Sequence, residues 1–259
     1  MFTVVSERGA LAQTPAVDAV VLAQQAAVPP LTDEERKAAF PDVGGHAAHD
    51  NDVHSLVLFD RLEWQFAGGA NGLTWDSNTW VGRDRDRLWL RSEGQLDHAD
   101  VADADVHALY GRAFARWWDV VAGVRQDFRP GAPQTWMALG IQGLAPYWFE
   151  VQATAYVGEG GRTAARFDID YELRLSNRLI LQPRMEANVY GKSDSGRGIS
   201  AGVNSVEPGL RLRYEVRREF APYLGIEWQR RFGKTASVSG PGGAEDESVR
   251  VLGGVRWWF

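Results

Sequence analysis

From residue 55 onward the chain alternates apolar and polar side chains with a period of two, in segment after segment. That period sends successive side chains to opposite faces, which specifies β-strands and excludes amphipathic helices. In 165–175, Ala165, Phe167, Ile169, Tyr171 and Leu173 share one face; Arg166, Asp168, Asp170, Glu172 and Arg174 share the other. In 206–217, Val206, Leu210, Leu212, Tyr214 and Val216 oppose Glu207, Arg211, Arg213, Glu215 and Arg217. In 179–189, Leu179, Leu181, Met185, Ala187 and Val189 oppose Gln182, Arg184, Glu186 and Asn188. Twelve segments read this way: 55–66, 72–81, 87–96, 105–115, 117–128, 134–142, 148–157, 163–175, 178–190, 204–217, 220–232 and 248–259. The second, third, fourth and sixth alternate weakly.

Alternation does not say which face points inward. A soluble sandwich buries the apolar face, whereas a membrane barrel turns it to lipid and keeps a polar lumen. Longer and shorter links alternate along the chain, so one end is expected to carry the long loops, among them DHADVADAD (97–105). Aromatics cluster at segment ends: Trp64 and Phe66, Trp117 and Trp118, Tyr147 to Phe149, Trp228 and Phe232, Trp257 to Phe259. That is where interfacial girdles belong, and it gives the 11 Trp a place. Segments of about 9–13 residues are long enough to cross lipid when tilted. Pro183 and Pro208 stand against this, because neither can donate to a ladder in mid-strand. The expected fold is all-β: an antiparallel up-and-down transmembrane β-barrel of about 12 strands over 55–259, after a largely flexible segment 1–54. The expected site is the outer membrane of a Gram-negative bacterium, with both termini periplasmic and lipid as the surroundings.

In such a barrel the charged faces converge. Arg61, Glu63, Glu93, Arg125, Asp127, Glu150, Asp168, Asp170, Glu172, Arg184, Glu186, Glu207, Arg211, Arg213, Glu215 and Glu227 are expected in the lumen. They read first as an ion-pair network that fills the barrel, and second as a selectivity surface for cations. The alternating last segment ends on Phe259, the kind of terminal aromatic that barrel-assembly machinery reads, and a monomer is expected.

Composition narrows the function. There is no Cys, so thiolate metal sites and iron–sulfur centres are excluded. A net charge of -6 argues against a nucleic-acid partner. No apolar run is long enough for a membrane-spanning helix. Residues 1–30 make an unconvincing secretory signal: Glu7 and Arg8 stand where a basic region is needed, and Asp18, Gln24 and Gln25 interrupt the apolar stretch. In 31–45 a short helix is expected, with Thr32 as its N-cap and Glu35 as the capping-box partner. Catalysis is not expected, since His54 with Ser55 and Asp97 with His98 have no convincing further partners.

Several strings resemble the copper resistance protein B family of bacterial outer membranes. They include LTDEERKAAFPDVGGH (31–46), LFDRLEWQ (58–65), DRLWLRSEG (86–94), VRQDFRPGAPQTWMALGIQGLAPYWFEV (124–151), RLILQPRMEANVYG (178–191), LRLRYEVRREFAPYLGIEWQRRFGKTA (210–236) and GVRWWF (254–259). The resemblance implies an outer-membrane barrel that binds copper and acts in copper resistance beside a periplasmic multicopper oxidase. The runner-up is a general small porin without copper preference. Members usually carry a Met- and His-rich stretch before the barrel; this chain has only Met1, Met137 and Met185. In that position stand His46, His49, Asp50, Asp52 and His54, which read either as metal capture or as a polar linker. Imidazole and carboxylate suit Cu(II) better than Cu(I). A second group, Asp97, His98, Asp100, Asp103, Asp105 and His107, in the expected external loop after the third segment, reads as a solvated acidic rim or as a cation site. Met137 and Met185 fall on apolar faces and are expected to meet lipid or to serve in packing, and Glu245 to Glu247 read as surface.

Overall fold

A computed structural model describes residues 32–39, 52–67, 70–98, 100–232 and 247–259. Among these residues one helix, α1 (Asp33–Ala39), precedes thirteen strands. These are β1 (His54–Ala67), β2 (Ala70–Gly82), β3 (Asp86–Asp97), β4 (Asp100–Ala115), β5 (Trp118–Arg129), β6 (Gln134–Ala145) and β7 (Phe149–Gly158). Then follow β8 (Arg162–Asp170), β9 (Leu173–Arg174), β10 (Leu179–Tyr190), β11 (Gly202–Tyr214), β12 (Phe220–Arg231) and β13 (Glu247–Trp258). The chain divides between His49 and Asp50 into the unit that holds α1 and the unit that holds the strands.

The expected capping box forms at α1. The Glu35 N–H donates to Thr32 Oγ1 at 3.2 Å, and Thr32 returns its own N–H to Glu35 Oε2 at 2.9 Å. Those bonds satisfy helix-end donors that would otherwise be left open.

Each strand pairs antiparallel with its neighbour, β11 closes on β10, and β1 closes on β13. The result is a closed 12-strand barrel with β9 as a short extra strand. The seam runs from Leu58↔Trp258 to Phe66↔Val251, and Phe259 adds an N–H donated to the Val57 carbonyl at 3.0 Å. Closure leaves no unpaired edge, the condition for a sheet to stand in hydrocarbon.

The apolar faces point out. Met137, Leu139 and Ile141 of β6, Leu224 and Ile226 of β12, and Val249 and Val251 of β13 are exposed on the barrel wall. Met185 is exposed there too. Exposed aromatics gather at the end that carries the barrel's termini: Phe114, Trp117, Tyr147, Trp148, Phe220, Trp257 and Phe259. Trp64, Phe66 and Phe128 mark the opposite end.

Both prolines sit where the ladder is already broken. The β8–β10 pairing stops at Asp170↔Arg184 and resumes as Leu173↔Leu181 of β9, so Pro183 falls in the gap. The β11–β12 pairing passes from Val206↔Arg230 to Gly209↔Glu227, and Pro208 falls between them. Their missing N–H groups therefore cost no regular ladder bond.

Two expectations need correction. DHADVADAD is no loop: β3 and β4 pair to the tip at Asp97↔Asp100, and His98 begins the turn with φ 47°. The period of two persists through the acidic run, and Asp105 and His107 point inward. The long links at this end reduce to 191–201, between β10 and β11, and the link between β12 and β13. The second correction concerns the lumen, which is not polar throughout. Leu109, Val121, Trp136, Ala138 and Tyr156 form an apolar cluster inside the β4–β7 wall, with Trp89 packed against it. Those strands are apolar on both faces, which is why segments four and six alternate weakly.

Candidate functional site

The barrel interior holds a layered network of ion pairs. On β1 a bulge between Phe59 and Arg61 changes the inward phase. Asp60 therefore points inward below it, and Arg61, Glu63 and Gln65 point inward above it, all three buried. At mid-height Arg61 holds Asp76 of β2 at 2.9 Å. Arg166 of β8 reaches Glu93 of β3 at 2.7 Å, across the barrel. Arg184 of β10 meets Asp168 at 3.2 Å and approaches Asp60 and Asp76 at 3.8 and 3.7 Å. Glu186 stands between them, 3.6 Å from Arg166 and 3.7 Å from Arg184. Arg166–Glu93 and the approaches of Arg184 to Asp60 and Asp76 join strands that are not neighbours, so they occlude the lumen as well as line it.

Beside this layer, Arg211 donates twice to Glu63 at 3.1 Å and once to Glu227 at 2.9 Å. Tyr223 donates its hydroxyl to Glu63 at 3.1 Å. On the β4–β6 wall, Arg125 bridges Asp105 at 3.0 Å and Asp127 at 2.6 Å. Asp127 also accepts from Trp136 Nε1 and from Arg197. Arg91 donates to Gln142 across the interior. Isolated charges in such a place would cost several kcal/mol each, which is why nearly every one is matched.

The network separates two chambers. The one at the termini end has a volume of about 740 Å³. Its lining carries seven carboxylates (Asp60, Asp76, Glu93, Glu150, Asp168, Asp170, Glu172) and four arginines (Arg91, Arg174, Arg184, Arg256). Arg256 holds Asp60 at 2.8 Å, and Arg213 holds Glu172 at 2.5 Å. Glu150 and Asp170 stand directly opposite one another in register. The chamber at the loop end, about 490 Å³, is lined among others by Asp103, Asp105, Glu207, Arg231 and Arg250. Gln229 donates to Glu207 there at 2.8 Å.

The expected lumen residues on strands lie on inward faces; Glu172 falls between β8 and β9, and Glu215, just past β11 and in phase with Arg211 and Arg213, is 14% exposed and pairs with Arg218 at 3.6 Å. Asp60, Asp76, Arg91, Asp105, Arg166, Arg197, Arg250 and Arg256 belong to the network and were not expected in it. Arg166 and Arg256 were within reach of the sequence, since each alternates with apolar neighbours. Asp60 is hidden by the bulge, and Arg197 comes from a connecting loop.

The expected metal ligands are scattered. His46, His49 and Asp50 lie outside the described residues. Asp52 and His54 are exposed where β1 begins. Asp97 and His98 face each other at 2.6 Å at the β3–β4 tip, exposed, with Asp100 beside them. His107 is not with them: it is inside the barrel, 2% exposed, 3.2 Å from Asp105. Among the described residues no three His, Cys, Asp or Glu are arranged to hold one metal ion. The donors that are present are imidazole nitrogen and carboxylate oxygen, which fit a borderline divalent ion.

A closed antiparallel barrel with an apolar outer wall, aromatic ends and a charged interior is a membrane β-barrel of the outer-membrane class. A solved structure of the NanC porin shares the fold, with a TM-score of 0.55, 13% identity, and coverage of 78% of this chain and 98% of that one. Residues 53–259 match the family described as Copper resistance protein B precursor (CopB), and the chain belongs to that family. It is 47% identical to Copper resistance protein B of Escherichia coli, over 94% of this chain and 82% of the relative. It is 48% identical to the Copper resistance protein B homolog of Pseudomonas syringae pv. tomato (strain ATCC BAA-871 / DC3000), over 90% of this chain and 79% of the relative.

Proposed function

We propose that this copper resistance barrel binds Cu(II) through nitrogen and oxygen donors and passes it between the membrane surface and the lumen. The observation that supports this reading is the pair of carboxylates that face each other in the termini-end chamber, Glu150 and Asp170, of which Glu150 has no ion pair among the described residues. Such a chamber concentrates cations. His54 begins β1 at the same end, directly after the His46–Asp52 stretch in the sequence. In outer-membrane barrels the short turns and the termini face the periplasm. On that basis Asp52 and His54 stand at the periplasmic mouth, and His46, His49 and Asp50 precede them closely in the sequence. A periplasmic multicopper oxidase is the partner that would meet copper there, and the Phe259-terminated β13 is the part the assembly machinery would engage. The mid-height ion pairs weigh against a general porin, which needs an open path.

Copper is the cargo here. It requires neutral imidazole, so binding releases protons and weakens as the solution is acidified. The test is a Cu(II) titration of the purified protein and of the His46→Ala, His49→Ala, His54→Ala triple variant. The variant is expected to lose one equivalent or at least tenfold in affinity; an unchanged titration would remove these residues from the site.

A further inference from the structure

The link between β10 and β11 turns into the barrel mouth. Its tip, 194–199, closes on itself: Asp194 and Ile199 exchange two backbone hydrogen bonds at 2.9 Å, and Gly198 turns the chain with φ 68°. Arg197 leaves this tip and enters the barrel, with 6% of its side chain exposed. There it donates to Asp127 Oδ2 of β5 at 3.2 Å and to the Ala132 carbonyl in the β5–β6 turn. Two further contacts tie the same link to the β7–β8 end: Arg162 meets Asp194 at 3.1 Å, and Lys192 donates to the Gly160 carbonyl at 3.1 Å. Gly196 and Arg197 line two cavities at once. One is the loop-end chamber of about 490 Å³, and the other is an outer cavity of about 580 Å³ bordered by 131–135, 159–162 and Asp194. The two residues therefore stand as a wall between these spaces. A piece closed on itself, whose ties to its neighbours are ion pairs and hydrogen bonds, can move as a unit when water takes over those bonds.

We propose that 191–201 is a strap that controls entry to the loop-end chamber, with Arg197 as its latch on Asp127. Closed, the strap narrows the passage from the outer cavity and sets a fixed guanidinium in the path of an arriving cation. Open, it joins the two cavities and gives up Asp127, whose carboxylate keeps Arg125 and Trp136 as partners. Arg197 is thus a positioning residue. The strap lies at the end opposite the termini, so it acts on a solute from the loop side before the mid-height ion pairs do. The inference goes beyond the copper-binding reading and stands whichever ion the chamber takes.

The chain has no Cys, so one introduced thiol reports without background. Ser205 of β11 lines the chamber and is 5% exposed. The full-length Ser205→Cys barrel, folded in detergent micelles, is reacted with a cationic methanethiosulfonate. Adding Arg197→Ala is expected to speed labelling at least tenfold, and Arg197→Lys to give a rate between the two. Asp194→Ala, which frees the strap from Arg162 and leaves Arg197 in place, is expected to speed it several-fold. Ala221→Cys, 3% exposed on β12 near the termini, is expected to keep one slow rate in every background. Ser205→Cys rates that are the same with and without Arg197 and Asp194 overturn the strap. So does a rise that Ala221→Cys shares, because the whole barrel has then loosened.

Discussion

Glu63 shows how much one interior side chain carries. It is fully buried and accepts from Arg211, Tyr223 and Gln65. Glu63→Ala leaves the Arg211 guanidinium with Glu227 alone. Breaking a buried pair from one side costs about 3–5 kcal/mol, and that loss is expected in urea unfolding from detergent micelles. Arg211→Met and Glu227→Gln added to Glu63→Ala should recover most of it, because no uncompensated charge then remains; a triple variant as unstable as the single would contradict this. Glu35 gives a residue-scale pH dependence outside the membrane. The bond from the Thr32 backbone, then the one from its hydroxyl, holds the Glu35 carboxyl below its ordinary value of 4.5. A depressed carboxylate supports folding above its ordinary pKa and loses that support as pH falls through the lowered one. Helical carbon chemical shifts over 33–39 should therefore persist at pH 5 and fade below about pH 4. Thr32→Ala should weaken the helix at every pH.

At the scale of the elements, the two prolines make the sharpest test. Pro208 occupies a break in the β11–β12 ladder. Pro208→Ala is expected to change stability by less than about 1 kcal/mol, since no ladder bond is regained. Leu212→Pro, four residues on and paired with Leu224, should prevent the folded form's faster migration in unheated gels. Most strand positions were legible in the sequence because lipid and lumen impose opposite demands on alternate residues. The strands that read weakly were those where this opposition lapses. Trp136 faces an apolar patch inside while Met137 faces lipid outside, so β6 offers no polar contrast. The acidic composition of 97–105 suggested a loop, although Asp105 and His107 keep strand phase and point inward. A bulge is harder still to read: Asp60 and Arg61 are adjacent in sequence and both turn inward, which no period of two anticipates. The candidate copper donors were named by residue type, and only the fold separates His107 from His98.

For the whole molecule, the decisive feature is the ion-pair layer between the chambers. A barrel of twelve strands has room for a pore, yet Arg166–Glu93 and Arg184–Asp76 lie across it. Little steady conductance is expected in a planar bilayer. Glu93→Ala with Arg166→Ala removes both partners of the cross-barrel pair and should raise conductance several-fold. Glu150 and Asp170, opposed in the termini-end chamber, should make that current cation-selective. A double variant as silent as the wild type would show that the apolar cluster of β4–β7 blocks the path instead.

The seam between β1 and β13 has a bearing on how the barrel comes into being. Its hydrogen bonds join segments from opposite ends of the strand order, and Asp60–Arg256 and Gln65–Arg250 cross the same junction. No half-built cylinder can make those contacts. An intermediate that lacks the β1–β13 ladder exposes two raw edges and strips partners from its innermost charges. Such species fold slowly and aggregate readily. Assembly therefore has an internal checkpoint: a chain damaged or cut short before β13 never acquires the resistance to proteases that closure confers, and is marked for disposal by its own geometry.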